Sequence, residues 1–224
     1  MIVAKILTSC YLGYKIWERN EKTGKISFGF VFSLYIMMIC LFVSRIFYFT
    51  FDFYFTNLNP SLYQIFPNVW FWKIAVVISA FGYSFVLFII DRSILDFKFK
   101  GVLSYMMFTV ALIIFFYPVN TSSDFELVST LLFLINIIAI AIPVLFFYIG
   151  YHEADFRNPS VLIAIGVIIY AVGANVLIES VVSLLDSLLP GIRIPLYTLS
   201  LFMKLIGIVI YSYGVIKFVE IFSK

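Results

Sequence analysis

Charge is scarce in this sequence. Only 12% of its 224 residues are Asp, Glu, Lys or Arg, about half the share that soluble globular chains carry. So little charge cannot coat a water-facing surface, which excludes an ordinary soluble domain. Disorder is excluded with it, because disordered segments stay in solution through high charge and low hydrophobicity. Histidine is almost missing: His152, beside Tyr151, is the only one. The apolar segments therefore hold no axial histidine for a haem and no helical His pair for a metalloprotease. No serine or paired-aspartate motif points to intramembrane proteolysis either. Neither an enzymatic activity nor a cofactor or metal is expected. The two cysteines, Cys10 and Cys40, both fall inside apolar runs at different depths, so a disulfide framework is excluded. A net charge of +3 is too small and too scattered for a nucleic-acid binder.

What is present is apolar: 63% of the chain is hydrophobic and 20% aromatic. A membrane helix needs about 20 mostly apolar residues to cross roughly 30 Å of hydrocarbon. Seven segments meet or approach that length: 1–14, 26–51, 69–90, 102–117, 125–151, 161–189 and 194–222. Turn chemistry separates them, as at Asn59-Pro60, Pro67-Asn68 and Thr121-Ser122-Ser123-Asp124. Asn158-Pro159-Ser160 places a cap residue and then proline at the start of the sixth segment. Strands are a poor alternative, because the run 128–144 is apolar on every face with Asn136 its one strongly polar residue. The expected fold is all-α, a polytopic membrane protein built as one seven-transmembrane-helix bundle over 1–224, with the lipid bilayer as its solvent. The first segment is short and carries Lys5. A signal peptide competes for it, but it ends in Tyr14-Lys15-Ile16-Trp17 and not in a small-residue cleavage site, which favours a retained helix.

The basic residues sort by loop. Lys15, Arg19, Lys22 and Lys25 follow the first segment, Arg92, Lys98 and Lys100 the third, Arg157 the fifth, and Lys217 with Lys224 close the chain. The opposite side has Lys5 and Arg193. Positive charge stays in the cytoplasm, so the amino terminus is expected outside and the carboxyl terminus inside the cell membrane. Phe47 to Phe55 and Trp70-Phe71-Trp72 then fall at the outer boundary, where aromatic rings are favoured.

Ionisable groups within the hydrocarbon cost roughly 2.5–3.5 kcal/mol each on insertion scales and are functional candidates by default. Glu179 and Lys204 lie 12 and 13 residues on either side of a turn at Gly191. Continuous helices would put both about 18–20 Å below that turn, matched in depth for an ion pair. Asn175, Glu179 and Asp186 share one stripe of the sixth segment, and Ser200 and Lys204 one stripe of the seventh. Against this stands a small-residue seam, Gly166 and Gly173 facing Gly214 and Gly207, which points the sixth helix elsewhere. The pairing is preferred, because an unpaired buried charge costs more than a lost close contact. Arg45, with Lys73, Asp52 and Asp186, is placed near the outer end, either as an ionic cluster or as snorkelling side chains. Arg45, Asn175, Glu179, Asp186, Ser200 and Lys204 are thus the candidate ligand-binding residues of an outward-opening polar cavity. Pro143 beside Asn136 suggests a kink in the fifth helix.

Seven helices, an external amino terminus and Lys204 in the last helix make the outline similar to that of microbial rhodopsins and seven-helix receptors. That resemblance implies a retinal Schiff base at Lys204. Several residues depart from it: the third segment has Trp72 and Lys73 but no mid-helix carboxylate, the sixth has Tyr170 but no tryptophan, and Ser200 stands four residues before Lys204 where an aspartate is usual. The outline also resembles seven-helix sensory modules that precede cytoplasmic kinase or cyclase domains. Three roles remain. The first is a receptor-like or sensory protein with an unknown small ligand and a cytoplasmic signalling partner. The second is a non-catalytic subunit held by other membrane proteins. The third is a small-solute or ion transporter, whose usual sign of paired broken helices in two repeats is missing.

Overall fold

The computed structural model describes residues 2–23, 29–93 and 95–222, and among these the chain is helical with no strand. Five helical stretches are long and apolar enough to cross a bilayer: Phe30–Phe55, Asn68–Ser93, Ser122–His152, Ala154–Asn175 and Arg193–Ile221. They mark the chain as a membrane protein. The expected fourth span is a shorter apolar helix, Val102–Phe116. The chain divides into two compact units, Ile2–Ile138 and Ala139–Lys224.

The first unit contains α1 (Ile2–Thr23), α2 (Phe30–Phe49), α3 (Asn68–Ser93), α4 (Val102–Phe116) and α5 (Ser122–Ala139). α1 runs past the expected boundary at Tyr14, and Lys15 and Glu18 pair across one turn of it at 2.9 Å. It lies antiparallel on α2. Lys5 Nζ donates to the Leu41 carbonyl at 2.9 Å, and Gly13 admits the Tyr35 ring, which would stand 3.3 Å from a Cβ there.

α2 continues into a π-helical turn, Thr50–Phe55, closed by the Thr56 hydroxyl, which donates to the Phe51 carbonyl at 2.8 Å. α3 returns along α2: Ser44 Oγ donates to the Ala75 carbonyl at 2.9 Å, and a Cβ on Gly82 would stand 2.8 Å from that of Cys40. α4 then runs antiparallel to α3, with Ser104 Oγ donating to the Ser84 carbonyl at 2.7 Å. At one end the rings of Phe51, Tyr63 and Trp72 gather on Phe125, with centroids 5.0–6.3 Å away from it. Trp72, expected at the lipid boundary, is instead buried in this cluster.

The second unit contains α6 (Ala141–His152), α7 (Arg157–Asn175), α8 (Glu179–Leu188) and α9 (Arg193–Phe222). The fifth span is interrupted only at Ile140, whose φ −60° and ψ −25° stay right-handed helical, near Pro143, which offers no N–H to the carbonyl four residues before it. The sixth span differs from expectation. α7 stops at Asn175, not at Leu189, and a turn over 176–178 separates it from α8. The bonds there tighten: the Leu177 amide donates to Ala174 and the Ile178 amide to Asn175, and Ile178 is extended. Gly173 and Asn175 are poor helix formers. Asn175 also turns its side-chain amide back onto the Ala171 carbonyl at 2.8 Å.

α7 and α9 pack antiparallel through glycine. A Cβ on Gly166 would stand 2.5 Å from the Tyr211 amide nitrogen, one on Gly207 2.6 Å from that of Tyr170, and one on Gly214 2.8 Å from that of Ile163. The seam therefore points straight at the last helix. Its register is one turn away from the expected one: Gly207 faces Gly166 and Tyr170, not Gly173, because the break after Asn175 takes up residues that the hairpin count gave to a continuous helix. The other end of the unit is closed by the Phe218 ring, 6.0 Å from Phe146 and 4.8 Å from Phe156.

Candidate functional site

Of the six residues read from the sequence, Arg45 belongs to the first unit and Asn175, Glu179, Asp186, Ser200 and Lys204 to the second. Ser200, on α9, is fully buried, and its hydroxyl donates to the Gly173 carbonyl at 2.5 Å. It serves the seam. Lys204 is half-buried one turn further along, its backbone nitrogen 3.2 Å from where a Gly173 Cβ would be. Asn175 ends α7 two residues after Gly173, at the same level. These three are neighbours in depth.

Asp186 lies past the break, on α8. Its carboxylate accepts from Arg193 Nε at 3.0 Å and from the Gly191 amide at 3.1 Å. Gly191 has φ +85°, a left-handed turn that favours glycine, so Asp186 clips the α8–α9 hairpin. The Glu179 side chain, and with it the expected pair with Lys204, lies outside the described residues. The depth count behind that pair assumed one helix from 161 to 189, and the break removes that assumption.

Arg45 belongs to the first unit, on α2. The Ser44–Ala75 bond places it seven residues inside the start of α3, about 10 Å along the axis. It is half-buried and makes no hydrogen bond or ion pair with any described residue. Ile46, Phe49 and Phe53 beside it are exposed.

Lys73 neither snorkels nor joins an ionic cluster. Only 3% exposed, it donates to the carbonyls of Phe115 and Tyr117 and lies 5.4 Å from the Trp70 ring centroid. Those carbonyls end α4, where no intrahelical donor remains for them. The other end of α4 is met by Asp91, whose carboxylate accepts from Gly101 N–H at 2.6 Å and Phe99 N–H at 3.0 Å. α3 thus carries a cation at the negative end of α4's dipole and an anion at the positive end. This explains how a helix of 15 residues, about 22 Å long, can sit beside a 26-residue one of about 39 Å.

No family model, curated protein or solved structure matches the chain.

Sequence reasoning passes over Asp91 and counts Lys5 only among the outer-side charges, whereas Lys5 is 1% exposed against α2. One signal was available for Asp91 and Lys73. The run 102–117 is too short to span roughly 30 Å alone, so its end groups need partners within the membrane. Among the described residues, no three His, Cys, Asp or Glu side chains are grouped to hold a metal ion.

Proposed function

We propose that this protein is a non-catalytic integral subunit of a larger assembly in the cell membrane, joined to its partners within the bilayer through α2. The observation that carries the reading is Arg45. Of the embedded cations in the first unit, Lys5 and Lys73 are met by carbonyls of the chain itself, whereas Arg45 has no described partner. An arginine left this way is costly in hydrocarbon, and a carboxylate on a neighbouring subunit's helix would relieve it. Ile46, Phe49 and Phe53 give that helix an apolar face to pack on. Asp186 and Ser200, two of the residues assigned to a ligand cavity, already serve intrachain contacts.

A receptor-like or sensory role draws on the same cation, as the anchor for a small anionic ligand. Extraction in mild detergent followed by native mass measurement separates the two. A subunit comes out with partners at fixed stoichiometry, and Arg45→Leu releases it from them without lowering its own melting temperature. A monomer or homo-oligomer from the native membrane overturns the subunit reading in favour of the receptor-like one.

A further inference from the structure

The segment that interrupts the sixth span has a pattern of its own. Winding α8 at about 100° per residue puts Ser183, Asp186 and Ser187 on one side of the helix. Val181, Val182, Leu184, Leu185 and Leu188 take the other. The two sets do not interleave. Exposure follows a third direction: Val182 is fully buried, so the helix rests on the protein along the edge between its two sides. That leaves both flanks open, Ser183 and Ser187 on the polar one and Leu184 (61% exposed) with Leu188 (67%) on the apolar one. Leu189 and Ile194 extend the apolar surface past the turn.

Depth says what meets that surface. Gly173 packs against Ser200 and Met203, so α9 continues for about two turns past the end of α7 before reaching its start at Arg193. α8 fills this interval, and the Asp186–Arg193 pair ties its far end to the beginning of α9. A ten-residue helix is too short to cross a bilayer, and one with fully segregated sides is stable where water and hydrocarbon meet.

We infer that α8 is a boundary helix that binds the lipid surface, its Leu184–Leu188 flank laid against phospholipid acyl chains and its Ser183–Ser187 flank turned to water. It is a membrane-surface contact within the chain and does not depend on the subunit reading of Arg45.

The test uses the full-length protein in phosphatidylcholine vesicles, with Cys10 and Cys40 replaced and a nitroxide label placed in turn at Ser183→Cys, Leu184→Cys, Ser187→Cys and Leu188→Cys. Relaxation by oxygen, which concentrates in lipid, is compared with relaxation by a nickel chelate, which stays in water. The oxygen-to-nickel ratio should be several-fold higher at 184 and 188 than at 183 and 187. An environment-sensitive fluorophore on the same cysteines should shift to the blue at the first pair alone. All four positions are exposed, so no label replaces a core contact. Equal ratios at the four sites, whether uniformly wet or uniformly lipid-immersed, overturn the inference. So does shielding of 184 and 188 from both reagents, which would mean that a protein surface covers them.

Discussion

Lys73→Met should destabilise the first unit markedly for a single polar side chain on α3. Lys73 is 3% exposed and its ammonium bonds two carbonyls at the end of α4. Hydrogen bonds to a charged group contribute about 1.5–3 kcal/mol each, and the Phe115 and Tyr117 carbonyls are only half-buried, so water recovers part of what the truncation removes. Loss of the Trp70 contact adds roughly 0.5–2 kcal/mol. The offset is the ammonium's own desolvation, which is several kcal/mol for a buried ion. A net loss of about 2–4 kcal/mol follows, at the high end of single substitutions.

Interhelical hydrogen bonds in bilayers average only about 0.6 kcal/mol, because the separated helices find other partners. That lower figure suits Ser44→Ala, whose acceptor, the Ala75 carbonyl, lies inside a helix and keeps its intrahelical donor. It does not suit the end of α4, where no such donor exists. Titration with SDS in mixed micelles, followed by tryptophan emission from Trp70 and Trp72, measures both. Lys73→Gln, which retains a donor, should recover part of the loss. The reasoning fails if Lys73→Met is as stable as the parent, or if Ser44→Ala costs the same.

Asp91→Asn at the other end of α4 should lower stability by about 1–2 kcal/mol in the same titration. Its effect should add to that of Lys73→Met, since the two sites are 18 residues apart on α3, about 27 Å. Gly166→Val should separate α7 from α9, because even its Cβ would meet the Tyr211 backbone at 2.5 Å. A fall in melting temperature equivalent to about 3 kcal/mol or more is expected, and an unchanged one would refute the seam. Asp186→Asn breaks a partly exposed pair with Arg193 and should cost under about 1 kcal/mol by thermal melting. For orientation, a membrane-impermeant maleimide should label Ser61→Cys on intact cells and Lys98→Cys only after permeabilisation. The reverse pattern would invert the positive-inside assignment.

Much of the architecture is written in local composition. The runs 26–51 and 69–90 match Phe30–Phe55 and Asn68–Ser93 closely, because burial in lipid depends on the summed hydropathy of one stretch and needs no knowledge of its neighbours. The same holds for the break near Pro143, where the missing N–H is a property of a single residue. The glycine seam is also legible as a small-residue spacing, but nothing local ranks it above the Glu179–Lys204 pairing. Counting 1.5 Å per residue through 176–178 treated a turn as helix, and the register moved by one turn.

Sequence alone thus determined the solvent and the helical class, since both follow from how apolar each run is along its own length. Tertiary structure alone decided which embedded charges have work inside the chain. Lys73 reaches carbonyls more than forty residues away, and Asp91 meets amides eight and ten residues on, across a loop whose path no periodicity reveals. Arg45 and Lys73 look alike as letters in apolar runs. They differ because the end of a short helix lies beside one, whereas no described residue hydrogen-bonds or ion-pairs with the other.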